Sequence, residues 1–354
     1  MMDKQYLSFR NQALLILERG MGSSCLAREE LADEIERRLQ YINYYRLSAY
    51  WYPFRIMEGS GRAAHRSNHL RPGTQWETVW QYYLFDRRLR NLLFDAIARI
   101  EIALRTRLAY HWAERHKRDN HPQSNLNSYK DSFLKIKAEG KPSPKEKLLQ
   151  EVNKYYNRSH TDCALHYKVK YGITDAALLP VWVFMEFTTL GNLRCLIQDG
   201  VKHSIQDNVK EALGFRGRDF FLSAVSLLNE ARNTCAHQGR LWNLKWKYMQ
   251  GGLTPDGHLN DILKEPDCPE WHFTWNSASG HWEPSGHGPL LAPDKSSTAA
   301  LLTVCAMIME KIAPESHWKE RVCDLFDNTP LPSCEREVGF GCKEWRNHPL
   351  WLGV

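Results

Sequence analysis

Apolar positions recur at helical spacing along most of the chain. Phe9, Leu14, Leu15 and Leu17 fall in one segment and Leu31, Ile35 and Leu39 in the next, so residues 6–52 read as a compact helical unit ending in an aromatic run from Ile42 to Phe54. Pro53, Gly59 and Gly61 mark its boundary, and the Gly-, Arg- and His-rich stretch to Gly73 reads as a turn region. From Trp76 to Arg118 the pattern is helical again, with Phe85, Leu89, Leu92, Ala96, Ile100, Ala103 and Leu104 on one stripe; two helices or one bent helix satisfy it. Residues 119–146, polar with three prolines, read as a loop or mobile insertion, and Lys147 to Arg158 as a short basic helix. Pro180 opens a helix that carries Trp182, Phe184, Phe187 and Leu190 and stops by Gly200. Helices over 203–213 and 218–236 follow, then an irregular loop or β-hairpin insert over 251–295, then helices over 296–312 and 315–327 and a Trp-rich tail.

The fold class predicted is mainly α. Its expected organisation is an N-terminal helical and aromatic subdomain (1–73), a helical core (74–250), the insert (251–295) and C-terminal helices with a tail packing on the core (296–354).

Composition narrows the function classes. With 43% hydrophobic and 12% aromatic residues in 354, the chain can bury a sizeable core, which excludes a largely disordered protein. The formal charge of +6 is unevenly distributed. Residues 84–118 hold 9 Lys+Arg against 4 Asp+Glu, 130–170 hold 10 against 5, and 216–247 hold 6 against 2. Such segregation suits a polyanion-binding face, and equally a solvated surface with acidic loops elsewhere. The polar N-terminus and the shortness of the apolar run Ala299 to Met309 predict a cytoplasmic protein with no membrane span. Nine cysteines without a C-x-x-C point to reduced thiols, mostly in the core.

The segment from Asn229 to Asn243 carries the most chemistry. Phe221, Ala224, Val225, Leu228 and Cys235 share one helical face, and Arg232 projects into that stripe. A buried guanidinium needs an acid or an anionic ligand: Glu101 or Glu230 would satisfy it, and so would a phosphate. His237 follows five residues later, about 140° around an ideal helix, so the two converge only where the helix bends or ends; Gly239 is the predicted stop.

Together with Asn43-Tyr44-Tyr45-Arg46-Leu47-Ser48, Phe85-Asp86-Arg87-Arg88-Leu89-Arg90, Ile100 to Arg105, Pro180-Val181-Trp182 and Gly339 to Trp345, this segment resembles the Abi-like (AbiD/AbiF) family of bacterial abortive-infection proteins, in order from Tyr6 to Leu352. That family is similar to the HEPN superfamily of helical bundles, whose R-x(4–6)-H motif serves metal-independent ribonucleases. The resemblance implies a HEPN-type bundle with catalytic Arg232 and His237, with Asn233 beside the arginine. It also implies a homodimer that completes a composite site and control by a structured non-coding RNA.

The residue types fit the reaction. RNA cleaves itself when its 2′-OH attacks the adjacent phosphate, given a group that moves the proton and one that stabilises the transition-state charge. Histidine suits the first task and the arginine fork the second. An interface along the 218–237 helix would bring two copies of each together. Glu101 and Arg105 read either as a solvated i, i+4 pair or as a second shell to this site, and Arg240 and Asn243 as phosphate contacts or helix-end caps. Tyr44, Tyr45 and Arg46, with Tyr50 and Trp51, read as a base-stacking surface or as core, and Lys154, Tyr155, Lys168 and Lys170 as RNA contacts.

No cofactor is expected. No metal is expected either, because Cys323, Cys334, Cys342 and His348 lack the tight pairing of zinc sites. The alternatives to a ribonuclease are a non-catalytic RNA-binding module and a DNA-binding regulator using residues 26–52 as a helix-turn-helix.

Overall fold

Side-chain caps set the start of the N-terminal helices in the computed structural model. Ser8 accepts from the Asn11 amide at the head of α1 (Phe9–Glu18), Glu30 from the Ala27 amide at α2 (Arg28–Leu39), and Asn43 from the Tyr45 amide at α3 (Tyr44–Trp51). The structure describes residues 5–59, 64–116, 119–136, 138–246, 296–331, 335, 338–340 and 343–352, and the backbone of two strands within 272–285.

Where the sequence reads as a turn region, β1 (Arg55–Glu58) and β2 (His65–Leu70) form an antiparallel hairpin. The strands were hidden because only Ser67 and Leu70 of the ten residues are buried, leaving no apolar alternation to see.

The stripe from Trp76 is one continuous helix, α4 (Trp76–Arg115), of 40 residues. It buries Phe85, Leu89, Ala96, Ile100 and Leu104 as expected, and α3 before it and most of the later helices pack on it. The following segment is anchored by its own side chains. Tyr129 and Phe133 are buried, the Tyr129 hydroxyl donates to the Gln123 carbonyl at 2.7 Å, and the Lys130 amide donates to the Gly200 carbonyl at 2.8 Å. A short α5 (Asp131–Leu134) leads to α6 (Pro144–Arg158), started by a Ser143/Glu146 capping box, and α7 (Asp162–Tyr171) packs back on it.

The helix expected from Pro180 is split. α8 (Val181–Glu186) ends before Thr189, whose hydroxyl caps α9 (Leu190–Cys195), and the chain continues to Gly200 as a π-turn. Trp182 is half exposed rather than core. α10 (His203–Ala212) and α11 (Arg218–Ala236) lie against α4, as do α12 (Thr298–Ile312) and α13 (Trp318–Asp327). α12 is apolar on nearly every side and buried from Thr298 to Met309 except at half-buried Met307, which places it within one continuous core. Phe326, Phe340, Trp345 and Trp351 close that core, with a short α14 (Pro349–Leu352) at the end. Within the 251–295 insert, β3 (His272–Asn276) and β4 (His281–Ser285) pair antiparallel. The fold is mainly α, and among the described residues no helix is long and apolar enough to cross a membrane.

Candidate nucleic-acid site at the end of α11

Phe220, Phe221, Ala224, Leu227, Leu228, Ala231 and Cys235 bury one face of α11 against α4 and its neighbours. Arg232 does not point into that face. It sits half-buried at the edge, because Ala231 and Cys235 occupy the covered side of the last turns and, among the described residues, the flank beside them is only partly covered. Its Nη1 donates to Asn233 Oδ1 at 3.4 Å, and neither Glu101 nor Glu230 pairs with it. Asn233 and His237 are exposed, and His237 is the C-cap of the helix.

The stop differs in detail from the expectation. Gln238, not Gly239, adopts the left-handed conformation, at φ 58°. The Gly239 amide donates to the Thr234 carbonyl at 2.7 Å and the Gln238 amide to the Cys235 carbonyl at 3.0 Å, the two bonds of a Schellman turn. Gly239 is needed for room: a Cβ there would lie 2.7 Å from Thr234 Cγ2 and 3.1 Å from the Thr234 oxygen. Burial pushes the Cys235 thiol up to about 12, which favours the protonated thiol.

Two distant segments, α3 and α4, hold this turn. Asp86 is fully buried; its Oδ1 accepts from the Leu241 and Trp242 amides at 2.8 and 2.7 Å, and its Oδ2 accepts from the Tyr50 hydroxyl at 2.7 Å and from Arg90. Burial pushes the Asp86 carboxyl above the ordinary range, with Arg90, Tyr50 and the two amides opposing it. Arg90 also donates to the Gly239 carbonyl at 3.1 Å. From α3, Arg46 donates to the Gln238 carbonyl, and in return Arg240 donates to the Ala49 carbonyl at 2.8 Å. Sequence reasoning missed Asp86 and Arg90. Their signal was a charged pair four residues apart inside the Phe85, Leu89, Leu93 stripe, where a charge has to meet partners.

The family model described as Abi-like protein matches residues 37–243, more than half of the chain, and runs from the end of α2 to the residue that closes this turn. The chain belongs to the Abi-like protein family. No curated protein and no solved structure matches it. The Abi-like match contains Arg46, Tyr50, Asp86, Arg90 and the whole segment from Arg232 to Asn243, so the turn and its supports lie within the family's extent. It stops short of the tail from Gly339 to Trp345, so membership rests on the central segment and not on the full span of the resemblance.

Other expected residues of this Abi-like chain are placed elsewhere. Glu101 and Arg105 bond each other, and Arg105 donates to the Thr188 carbonyl at 2.7 Å; no hydrogen bond or ion pair joins them to Arg232 or His237. Asn243 is an exposed turn residue at φ 51°. Tyr44 is half-buried, accepting from Arg19 at 2.5 Å with its ring against Trp51, and Tyr50 and Trp51 are core. Tyr45 and Arg46 are exposed. On the α6–α7 hairpin, Lys154, Tyr155 and Lys170 are exposed, whereas Lys168 donates to the Asn157 and Ser159 carbonyls at 3.1 and 2.9 Å and so caps the end of α6. Of the cysteines and histidine weighed for zinc, Cys334 and Cys342 lie outside the described residues.

Proposed function

We propose that this Abi-like protein is an abortive-infection effector of the HEPN type, an endoribonuclease that cleaves RNA at the end of α11 without metal. One observation carries the reading: Arg232 and His237 lie on the last turns of one helix, both accessible and, among the described residues, with no carboxylate in ion-pair reach. A carboxylate would neutralise the cation that a phosphate needs; here that position is open.

In the proposed reaction the substrate 2′-OH attacks the adjacent phosphorus as its proton passes to the His237 imidazole, and the 5′-oxygen leaves with a proton from a second histidine. The Arg232 guanidinium holds the non-bridging oxygens as charge builds on them. The products are a 2′,3′-cyclic phosphate and a 5′-hydroxyl. DNA, lacking the attacking group, is left intact. The second histidine comes from a second copy of the chain in a homodimer. With the buried face of α11 covered by its own chain, the two-fold contact forms around the exposed end at Asn233, Ala236 and His237 and not along 218–237. The exposed Lys154, Tyr155 and Lys170 extend the RNA path, and a structured non-coding RNA is the proposed regulator.

End-group analysis of RNA incubated with the protein in EDTA tests this. Cyclic-phosphate ends that disappear in Arg232→Ala and His237→Ala support it; variants as active as the parent overturn it. Intact RNA with measurable binding would favour the non-catalytic module instead. The DNA-binding reading is disfavoured by α3 itself, which packs on α4 and whose Ala49 carbonyl and Tyr50 hydroxyl are engaged by Arg240 and Asp86.

A further inference from the structure

Four arginines surround the turn after α11, and their side chains are not equivalent. Arg90 is buried against Asp86. Arg240 donates to the Ala49 carbonyl and lies over the Trp242 ring at 5.9 Å, and burial lowers its pKa from the usual guanidinium value. Among the described residues, Arg232 bonds only its neighbour Asn233. Arg46 is exposed and reaches across from α3 to the carbonyl of Gln238, the residue next to His237. That is the one hydrogen bond its guanidinium makes among the described residues, out of five N–H donors. No carboxylate among the described residues pairs with Arg46, Arg232 or Arg240.

We propose that Arg46 is a phosphate-binding residue of the same site, with α3 supplying a cation that the Arg232/His237 segment lacks. This rests on the ribonuclease reading only for which phosphate it holds; the binding claim stands separately.

Two physical points support it. A guanidinium anchored through one edge is pre-organised, so a phosphate oxygen can take the remaining edge with less loss of side-chain freedom than a free surface arginine would require. The carbonyl that Arg46 meets belongs to the residue following His237, so a phosphate held on its remaining edge is held beside the helix end that carries His237. Tyr45 stands next to Arg46, exposed with its ring edge-on to Tyr44, where an unstacked base beside the held phosphate would meet it.

The test uses a fluorescein-labelled, fully 2′-O-methylated oligouridylate, which lacks the attacking hydroxyl and stays whole. Its affinity for the full-length protein is measured across a NaCl series. Arg46→Gln is expected to weaken binding and to reduce the slope of log K against log [NaCl] by about 0.7, the share of one phosphate on a single strand. Arg28→Gln, at an exposed arginine on α2, is expected to keep the parent slope. Because Arg46 also braces Gln238, the double variant Arg46→Gln/Gln238→Gly is included; glycine holds the left-handed turn without the brace. A slope that stays low in the double variant supports direct phosphate contact. A slope restored by Gln238→Gly, an unchanged slope in Arg46→Gln, or no salt-dependent binding by the parent overturns the proposal. Should Arg232→Ala and His237→Ala cleave ordinary RNA like the parent, the ribonuclease reading falls while this measurement still decides Arg46.

Discussion

Gln238 and Gly239 divide one job in a way that the sequence does not show. A left-handed position is ordinarily glycine's, and Gly239 sits one residue away from it, held there by closeness to Thr234. Gly239→Ala is therefore expected to destabilise the protein by about 1–3 kcal/mol, as overpacking does, since Thr234 is β-branched and its carbonyl belongs to the turn. Gln238→Gly is expected to act the other way, raising stability by about 1 kcal/mol through relief of the left-handed strain. Urea melts of both variants decide the pair; equal effects of one sign would contradict the division of roles. Asp86→Ala strips the acceptor from Tyr50, Arg90 and two amides at once. About 3–5 kcal/mol of destabilisation follows if the buried network behaves as one unit, and a cost under 1 kcal/mol would show that the turn keeps itself. Arg232 and His237 are reached through the family resemblance, since the spacing R-x-x-x-x-H alone is a weak pattern, whereas Asp86 and Arg90 were masked by the apolar residues they sit among.

Elements were legible wherever one face is buried over several turns. α4, α10, α11 and α12 emerge from periodicity within a residue or two of their observed ends at most boundaries. α7 left no such trace, because Ala164 is the single buried residue of its ten. Short polar strands and the Thr188–Thr189 break likewise depend on partners far along the chain.

Ion pairs within and between elements add a pH signature. Arg218 holds Asp207 below the usual carboxylate range. For Glu34 and Asp95 burial pushes upward, but Arg37 and Arg38 in one case and Arg321 and Arg99 in the other outweigh it, so both are also lowered. A carboxylate whose folded value is depressed contributes stability above its unfolded value, about 4, and loses it as pH falls through the folded one. Thermal melting temperature at low salt is thus expected to hold from pH 7 down to about 5 and to drop below about 4. Arg218→Gln should flatten part of that drop; a variant that follows the parent curve would remove Asp207 from the account.

For the whole molecule, the exposed end of α11, with one Arg232 and one His237 per chain, makes the homodimer a condition of activity in the proposed mechanism. Specific activity on RNA is expected to rise with protein concentration in step with the dimer fraction seen by sedimentation. A chain that stays monomeric while cleaving at constant specific activity would show that one copy suffices. The sequence carried the motif and the mainly α class. What it could not carry was which flank of α11 its own chain leaves uncovered, since that is set by where α4, α9, α10 and α12 dock.

The brace from Arg46 to Gln238 spans 192 positions of chain, and the one from Arg90 to Gly239 spans 149. Thr298 at the head of α12 then donates to the Leu241 carbonyl at 2.7 Å, locking the same turn from the other side. During synthesis, which runs N-terminus first at roughly 5–20 residues per second, the ends of this clasp become available at widely separated moments, and α12 emerges last. A nascent chain that has made Arg232 and His237 holds their turn from the α3 and α4 side alone until Thr298 follows. On the proposed reading, the site is therefore completed only after α12 has been made.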